Sequence, residues 1–546
     1  MARSKLPLLR RISQISFLLI FFALLILTSM RPASTSSGEI HMRAPVRLFF
    51  MLDPLVAITN ALATHALYRG LLFSLVILLP TLFLGRFFCG WICPMGTLQH
   101  FVGNLRSEAK RGKQRIASNR YKRWQTIKYV ILIAGLVAAF FGSMVIGTLD
   151  PFSLLVRSIG LALLPAFNFA TRALLAPMEH SHINVIRTPG ESLHTIFQAT
   201  ILDFRQAHFS QSLVLGILFL VILWAGMRVT RFWCRAICPL GALLGAVSRW
   251  SILGLHKDPS RCDNCTRCLL NCQGGDDPVG GAPWRKSECL SCMNCVDSCP
   301  QGALEFRFFR KEREVAAPDL GRRRTLTGLA AGAATVPLMR ANTGLGKSRY
   351  ERLLRPPGAV DEPDFLSRCI RCGECMKVCP NNSLHPTLTQ AGLEGLWTPT
   401  LVPRIGYCEP SCVLCSEVCP TGAIWQLTPR EKGWVAGGAT QQTQPVRLGT
   451  AFYDRGRCLP WALATDCIVC EEWCPVSPKA IYVEEAQVID STGVTKTLKQ
   501  PRVDPSRCVG CGACEYACPL QEKPAVYVTS IGESRSLSSQ ILLKRG

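Results

Sequence analysis

The sequence predicts an α-helical membrane bundle of four spans, built as a parallel internal repeat, followed by small α+β domains organised around cysteine loops. Three observations predict it. The apolar residues of this 546-residue chain concentrate in the first 255. A thirteen-residue motif occurs twice within that stretch. Beyond it, 24 of the 28 cysteines fall into six regularly spaced quartets. With 48% hydrophobic residues the chain has ample material for a core, which excludes disorder. Its length excludes a small disulfide scaffold. No Cys-x-x-Cys is followed by His, so no c-type haem is attached.

Residues 12–30, 71–88, 129–146 and 212–229 are nearly uncharged runs close to the ~20 residues a bilayer requires. The first is too long for a signal peptide and has no clean small-residue cleavage site. Lys and Arg counts orient the spans. The first eleven residues hold Arg3, Lys5, Arg10 and Arg11 and no acid. Segment 103–128 holds nine Lys/Arg against Glu108 alone, and segment 307–324 seven against three acids. Segment 149–210 is balanced, with four of each sign. The basic segments are therefore expected in the cytoplasm, with 31–47 and 149–210 on the other face. Much of the net charge of +24 is then a topology signal. It does not mark a nucleic-acid binder, which would interleave aromatics or carry a module pattern.

The repeat pairs Arg86-Phe87-Phe88-Cys89-Gly90-Trp91-Ile92-Cys93-Pro94-Met95-Gly96-Thr97-Leu98 with Arg231-Phe232-Trp233-Cys234-Arg235-Ala236-Ile237-Cys238-Pro239-Leu240-Gly241-Ala242-Leu243, identical at eight of thirteen positions. Each copy is preceded on the far side by Leu-Asp-Pro, at Leu52-Asp53-Pro54 and Leu149-Asp150-Pro151. Two halves of like orientation imply a pseudo-twofold axis along the membrane normal. The second half carries about 48 extra residues in its outer loop. Cys89, Cys93, Cys234 and Cys238 are thereby brought to one face near the axis. They suit an iron–sulfur centre, a redox-active thiol pair, or inert burial. Asp53 and Asp150 either start interfacial helices with Pro in the first turn or act as ionisable groups at the membrane edge.

Four quartets have the spacing C-x2-C-x2-C-x3-C: Cys262/Cys265/Cys268/Cys272, Cys289/Cys292/Cys295/Cys299, Cys369/Cys372/Cys375/Cys379 and Cys508/Cys511/Cys514/Cys518. Cys408/Cys412/Cys415/Cys419 opens with x3 and Cys458/Cys467/Cys470/Cys474 with x8. Pro300, Pro380, Pro420, Pro475 and Pro519 follow five of the six; Gln273 follows the first. This is the bacterial-ferredoxin spacing, in which three thiolates bind one [4Fe–4S] cubane and the fourth reaches the neighbouring cluster. Zinc ribbons use two separated knuckles instead. The 24 cysteines are thus expected to ligate six [4Fe–4S] clusters, and the membrane four a seventh centre if they ligate one. In the first pair, Cys262, Cys265, Cys268 and Cys299 hold one cluster, and Cys289, Cys292, Cys295 and Cys272 the other. Among the last four quartets, either neighbours pair or the outer two pair around the inner two.

Four domains follow: a membrane domain over 1–255, a two-cluster domain over 256–310 in the cytoplasm, a linker over 311–350 and a four-cluster domain over 351–546. The linker holds Arg322-Arg323-Arg324-Thr325-Leu326-Thr327-Gly328 and a weakly apolar stretch, 329–339. It resembles a twin-arginine export signal; it also reads as a fifth span, or as a cleavage region. Export of folded, cluster-loaded cargo would put the last domain in the periplasm. Gly346-Lys347-Ser348 lacks the leading Gly and strand of a phosphate loop and is rejected as one.

The first 310 residues resemble the NapH/MauN group of membrane ferredoxins, through four spans, paired Cys-x-x-x-Cys-Pro motifs and a two-cluster tail. The NosR and CcoG proteins share the Cys-x-x-x-Cys-Pro element. Residues 322–520 resemble NapG/MauM, through the twin-arginine start, Val402-Pro403-Arg404-Ile405-Gly406-Tyr407-Cys408, Gly449-Thr450-Ala451 and Cys458-Leu459-Pro460-Trp461. The chain looks like a fusion of two proteins that act as partners. The resemblance implies a quinol dehydrogenase component of the bacterial inner membrane. It would draw on the quinone pool and pass electrons to a periplasmic reductase, dehydrogenase or cytochrome, in a nitrate-reductase-type or methylamine-utilisation-type chain. Asp53, Asp150 and His65 are then candidates for proton handling near the quinol. A different class of reading is an electron-donating maturation or regulatory factor for a metalloenzyme, suggested by the CcoG-like element.

Overall fold

The computed structural model describes residues 6–28, 33–34, 40–41, 47–66, 68–105, 112–200, 206–275, 284–309, 320–340, 352–433, 445–490 and 492–535. Arg3, Lys5, Glu108 and the Gly346-Lys347-Ser348 tripeptide lie outside them. The chain is largely helical in its first 250 residues. Among the described residues three helical runs are long and apolar enough to cross a membrane: Leu6–Leu27, Gly112–Phe140 and Pro151–Glu179.

Two of these match expected spans. The other two expected spans are shorter apolar helices, Arg69–Leu84 and Ser212–Arg228. Each stops where the chain must turn into its cysteine motif, at Gly85 with φ +72° and at Arg231 with φ +51°. The third long run falls where the sequence suggested only an outer loop. Arg157 interrupts its apolar pattern, yet the run as a whole stays apolar. That guanidinium is fully buried. It donates to the carbonyls of Arg371 and Thr148, both at 2.9 Å, and stacks over Trp397, which offsets much of its desolvation.

The internal repeat is repeated in local structure. Asp53 and Asp150 each cap a helix, Pro54–Thr64 and Pro151–Ser158, accepting from backbone N–H groups with Pro in the first turn. Each cysteine motif forms a five-residue helix, Phe87–Trp91 or Phe232–Ala236, then breaks and restarts at Pro94 or Pro239. The break is the same in both. Cys93 N–H donates to Phe88 O at 3.0 Å, and Cys238 N–H to Trp233 O at 2.9 Å.

Two cysteine-rich units sit at opposite ends of the bundle. The first is closed by an antiparallel pair, Leu253–Lys257 with Leu304–Phe308. The second carries Leu384–Pro386 with Pro399–Leu401, Thr450–Tyr453 with Val526–Thr529, and the hairpin Ile481–Ile489 with Thr495–Val503. Helix Leu6–Leu27 measures the gap between them. Its Arg10 stands beside Cys292 of the first unit, and its Leu25 carbonyl accepts from Lys377 Nζ of the second. Fifteen residues of helix separate these contacts, about 22 Å at 1.5 Å per residue.

The basic linker forms a helix, Arg322–Arg340, that runs beside and parallel to Ile127–Phe140. Gly328 and Gly332 make the close approach. A Cβ on Gly332 would meet Ala134 O at 2.6 Å, a small-xxx-small packing. Arg340 ends the helix on the carbonyls of Phe141 and Gly142 and on Glu394. The chain thereby passes from the end that carries the first unit to the end that carries the second.

Candidate metal centres

Each quartet is a loop followed by a helix of four or five residues that carries the third cysteine, such as Asn294–Asp297 or Ala513–Ala517. In the four regular quartets both residues flanking the second cysteine have positive φ. They are Asn264 and Thr266, Ser291 and Met293, Arg371 and Gly373, and Gly510 and Gly512. Left-handed backbone costs non-glycine residues ~1–2 kcal/mol each, so strain is concentrated at these loops. In the variant quartets the residues after the second cysteine, Val413 and Ile468, lie at φ −124°. Left-handed backbone there falls instead on Ala464, φ +47°, within the x8 spacer.

The thiols assemble across quartets. Burial pushes the Cys268 thiol up to about 11, and Cys265 and Cys299 add to the effect. Cys295 is raised by burial and then by Cys292, Cys289, Cys272 and Cys268. In the second unit Cys375 feels Cys372, Cys369 and Cys419 most, and one cavity is lined by these same four cysteines. Cys415 feels Cys408, Cys412 and Cys379. Cys458 feels Cys470, Cys467 and Cys518, and Cys514 feels Cys511, Cys508, Cys470 and Cys474. Consecutive quartets therefore exchange their fourth cysteine, which resolves the pairing the spacing left open. Cys408 N–H donates to Cys511 O at 2.8 Å, joining the two halves of the second unit.

Donors point at the sulfurs. The N–H groups of Ala303, Ser383, Ile424 and Ala525 donate to Cys299, Cys379, Cys419 and Cys518 Sγ at 3.3–3.4 Å. Tyr453 OH lies 3.0 Å from Cys470 Sγ. Lys432, held on the carbonyls of Glu409 and Cys412, faces Cys408. Among the described residues, no three His, Cys, Asp or Glu side chains converge on a single-ion site.

Cys89, Cys93, Cys234 and Cys238 are all buried and lie near one another between the two halves of the bundle. Sequence reasoning missed their companions. Arg86 and Arg231, equivalent in the repeat and 1% and 0% exposed, cross over to the opposite half. Arg231 Nη1 donates to Cys89 O at 2.8 Å, and Arg86 lies against Gly241 and Cys238. Nε and Nη2 of both have no hydrogen-bond partner among the described residues. Their presence at matching positions of the motif was the available signal.

Asp53 and Asp150 are fully buried and face each other within hydrogen-bonding reach. One oxygen of each caps its helix; Asp53 Oδ2 and Asp150 Oδ1 have no other donor. His65 is not with them. It ends helix Pro54–Thr64 in the exposed region, about 18 Å along the axis from Asp53, against Phe140.

Comparison with known proteins agrees with this geometry. The family described as "4Fe-4S binding domain" matches residues 66–113 and 211–256, around the two membrane motifs. A second family of that description matches 282–305 and 365–385, and the "4Fe-4S dicluster domain" matches 435–521. Fold and sites define an iron–sulfur electron-transfer protein of ferredoxin type that carries multiple [4Fe–4S] clusters. The chain is 36% identical over 195 residues to methylamine utilization ferredoxin-type protein MauM of Methylophilus methylotrophus, covering 35% of this chain and 78% of that protein. It is 34% identical over 227 residues to ferredoxin-type protein NapG of Escherichia coli, covering 39% and 87%. It is 27% identical over 238 residues to the putative electron transport protein YccM of Escherichia coli, covering 44% and 55%. The chain belongs to the NapG/MauM family of ferredoxin-type proteins. No solved structure matches it.

Proposed function

We propose that the chain is a quinol-oxidising iron–sulfur wire that crosses the bacterial inner membrane, combining a NapH-type membrane part with a NapG-type domain. Electrons enter at the first unit on the cytoplasmic side. They leave from the second unit in the periplasm, to a reductase, dehydrogenase or cytochrome.

One observation carries this reading. A single contiguous buried core contains Cys292 of the first unit, Cys89, Cys93 and Cys238 of the membrane motifs, and Cys372 of the second unit. Phe88, Phe152, Phe49 and Phe50 fill the space between, with Phe152 5.7–6.3 Å from the other three rings. Tunnelling falls off exponentially with distance, so a gap of about 22 Å between units needs an intermediate stop. The four membrane thiols stand on this path. Gln14 Nε2, one turn along the helix from Arg10, donates to Gly90 O at their level.

The residues present fit the clusters. In the second unit the sets are Cys369/Cys372/Cys375/Cys419, Cys408/Cys412/Cys415/Cys379, Cys508/Cys511/Cys514/Cys474 and Cys458/Cys467/Cys470/Cys518. Cys89, Cys93, Cys234 and Cys238 would hold a seventh centre, with Arg86 and Arg231 offsetting its negative charge. Each cluster supplies a one-electron store whose potential responds to hydrogen bonds and burial. The protein orders the stores, supplies donors to their sulfurs and keeps water from them.

Reduction of the purified protein by menaquinol or ubiquinol tests the reading, followed by visible absorbance and EPR. Reduction by either supports it; reduction by neither overturns it. Iron analysis separates about 24 atoms for six cubanes from a higher count with a seventh centre.

A further inference from the structure

The cavity between the first unit and the bundle has a composition that the cluster sites do not explain. Arg10, Gln99, His100, Gly103, Gly226, Cys272 and Gln273 form its working wall. Gln99 is 0% and Gln273 5% exposed, and Oε1 of each has no hydrogen-bond partner among the described residues. His100 Nε2 lies 2.8 Å from Gln273 Nε2 and 3.2 Å from Asn104 Nδ2. Two side-chain amides directed at Nε2 mark it as a lone-pair acceptor whose single lone pair they occupy. The wall thus offers two open acceptors, Oε1 of Gln99 and Gln273, two open donors, Nε and Nη1 of Arg10, and a cluster cysteine. Gln273 occupies the place that proline takes after the other five quartets.

We propose that this cavity binds the quinol headgroup, hydroxyls toward Gln99, Gln273 and Arg10, beside the cluster set that contains Cys272. The inference rests on the quinol reading above and assigns its site. Open acceptors beside open donors call for a ligand that both donates and accepts hydrogen bonds, as a hydroquinone hydroxyl does. Gly103 and Gly226 face each other across the wall. A Cβ on Gly103 would meet only Gly226 O, at 3.5 Å. Phe101 and Leu105, both exposed on the same helix, offer an apolar track for an isoprenoid tail. Oxidation of one quinol breaks two O–H bonds and yields the quinone, two protons and two electrons. A cluster held by Cys289, Cys292, Cys295 and Cys272 would take the electrons one at a time, passing the first onward before the second arrives. The protons leave to water at the cavity mouth. Asp53 and Asp150 stand at the opposite end of the bundle, so this assignment moves proton release from them to the cavity mouth.

The test uses the full-length holoprotein and two variants, Gly103→Leu, which fills the cavity, and Gln273→Pro, which restores the residue of the other quartets. A photoreactive azidoquinone is cross-linked and mapped by mass spectrometry. Reduction by menaquinol is followed in parallel, with dithionite reduction confirming that clusters are retained. The expected result is labelling within 99–104 or 226–230 in the natural protein. In both variants, labelling and quinol reduction fall at least tenfold while dithionite reduction persists. Quinol reduction that is unchanged in the variants, or label near Asp53 and Asp150, overturns this site and leaves the quinol reading standing. Failure of quinol to reduce the natural protein overturns that reading. Label in the cavity that inorganic phosphate or anionic-lipid vesicles displace shows an anion site and overturns the assignment.

Discussion

The two cysteine-rich units are docked to the same bundle by different chemistry. The first is held by a buried carboxylate. Glu288 accepts from Lys128 and from Tyr129 OH at 2.9 Å, and lies 3.6 Å from Arg86. The second is held by cations on carbonyl oxygens. Arg157 donates to Arg371 O at 2.9 Å, Arg371 to Met144 O at 2.5 Å, Arg47 to Glu417 O at 2.6 Å, and Lys377 to Leu25 O. The first unit adds this buried ion cluster to carbonyl bonds from Arg86 Nη1 to Ser287 O and from Trp91 Nε1 to Ser291 O, both at 2.9 Å, whereas the second spreads its docking over several cation–carbonyl bonds. The first unit also faces a polar cavity and lacks one proline, while all four quartets of the second keep theirs. The contrast fits an input that exchanges a substrate and a relay that only conducts.

The sharpest way to break the comparison is to cut the link between the units. Replacing Cys89 and Cys234 together with Ala should leave the first unit's clusters reducible by quinol. Reduction of the second unit's clusters should become at least a hundredfold slower, read by freeze-quench EPR.

The docking difference predicts the next largest effect. Glu288→Gln leaves Lys128 and Arg86 buried without a full counter-charge and should loosen the first unit by about 3–5 kcal/mol. Limited proteolysis should then cut within 256–310. Glu394→Gln, whose partner Arg340 has a half-exposed side chain, should cost at most about 1 kcal/mol.

A smaller effect separates clusters within the second unit. Tyr453→Phe removes the hydroxyl beside Cys470 Sγ. That donor stabilises the more negative reduced cluster, so its loss should make this cluster harder to reduce by about 0.5–1.5 kcal/mol. Redox titration should show one of the signals moving down. The smallest effect is at a strained loop. Met293, at φ +60°, should tolerate Gly with a stability change within about 1 kcal/mol, because relieved strain offsets lost backbone restriction. Gly373→Ala should destabilise, since its Cβ would sit 3.0 Å from Leu161 Cδ1 at φ +87°.

What could be read from the sequence divides along physical lines. Cysteine spacing is local chemistry, so all six quartets and the exchange of Cys272 and Cys299 were legible. Which of the last four quartets are partners depends on how loops stack, and only the fold shows that neighbours pair. The Leu-Asp-Pro elements were legible as helix starts because Asp caps and Pro opens a helix. Their two carboxyls meeting each other was not legible. The run 151–179 is apolar enough to span; the balanced charges of 149–210 argue for an outer loop, but the structure buries one of them, Arg157, on carbonyls and Trp397. The absent proline at Gln273 was visible as an exception, but its contact with His100 was not, because no local pattern marks the position of His100.

The central claim is that electrons cross the membrane through this chain. Sealed vesicles that carry the protein, given quinol and ferricyanide on the second unit's side only, test it most directly. Ferricyanide should be reduced much faster than in protein-free vesicles, and the excess should vanish when Cys89 and Cys234 are replaced. A rate equal to that of protein-free vesicles, or an excess that survives the double substitution, would contradict the account.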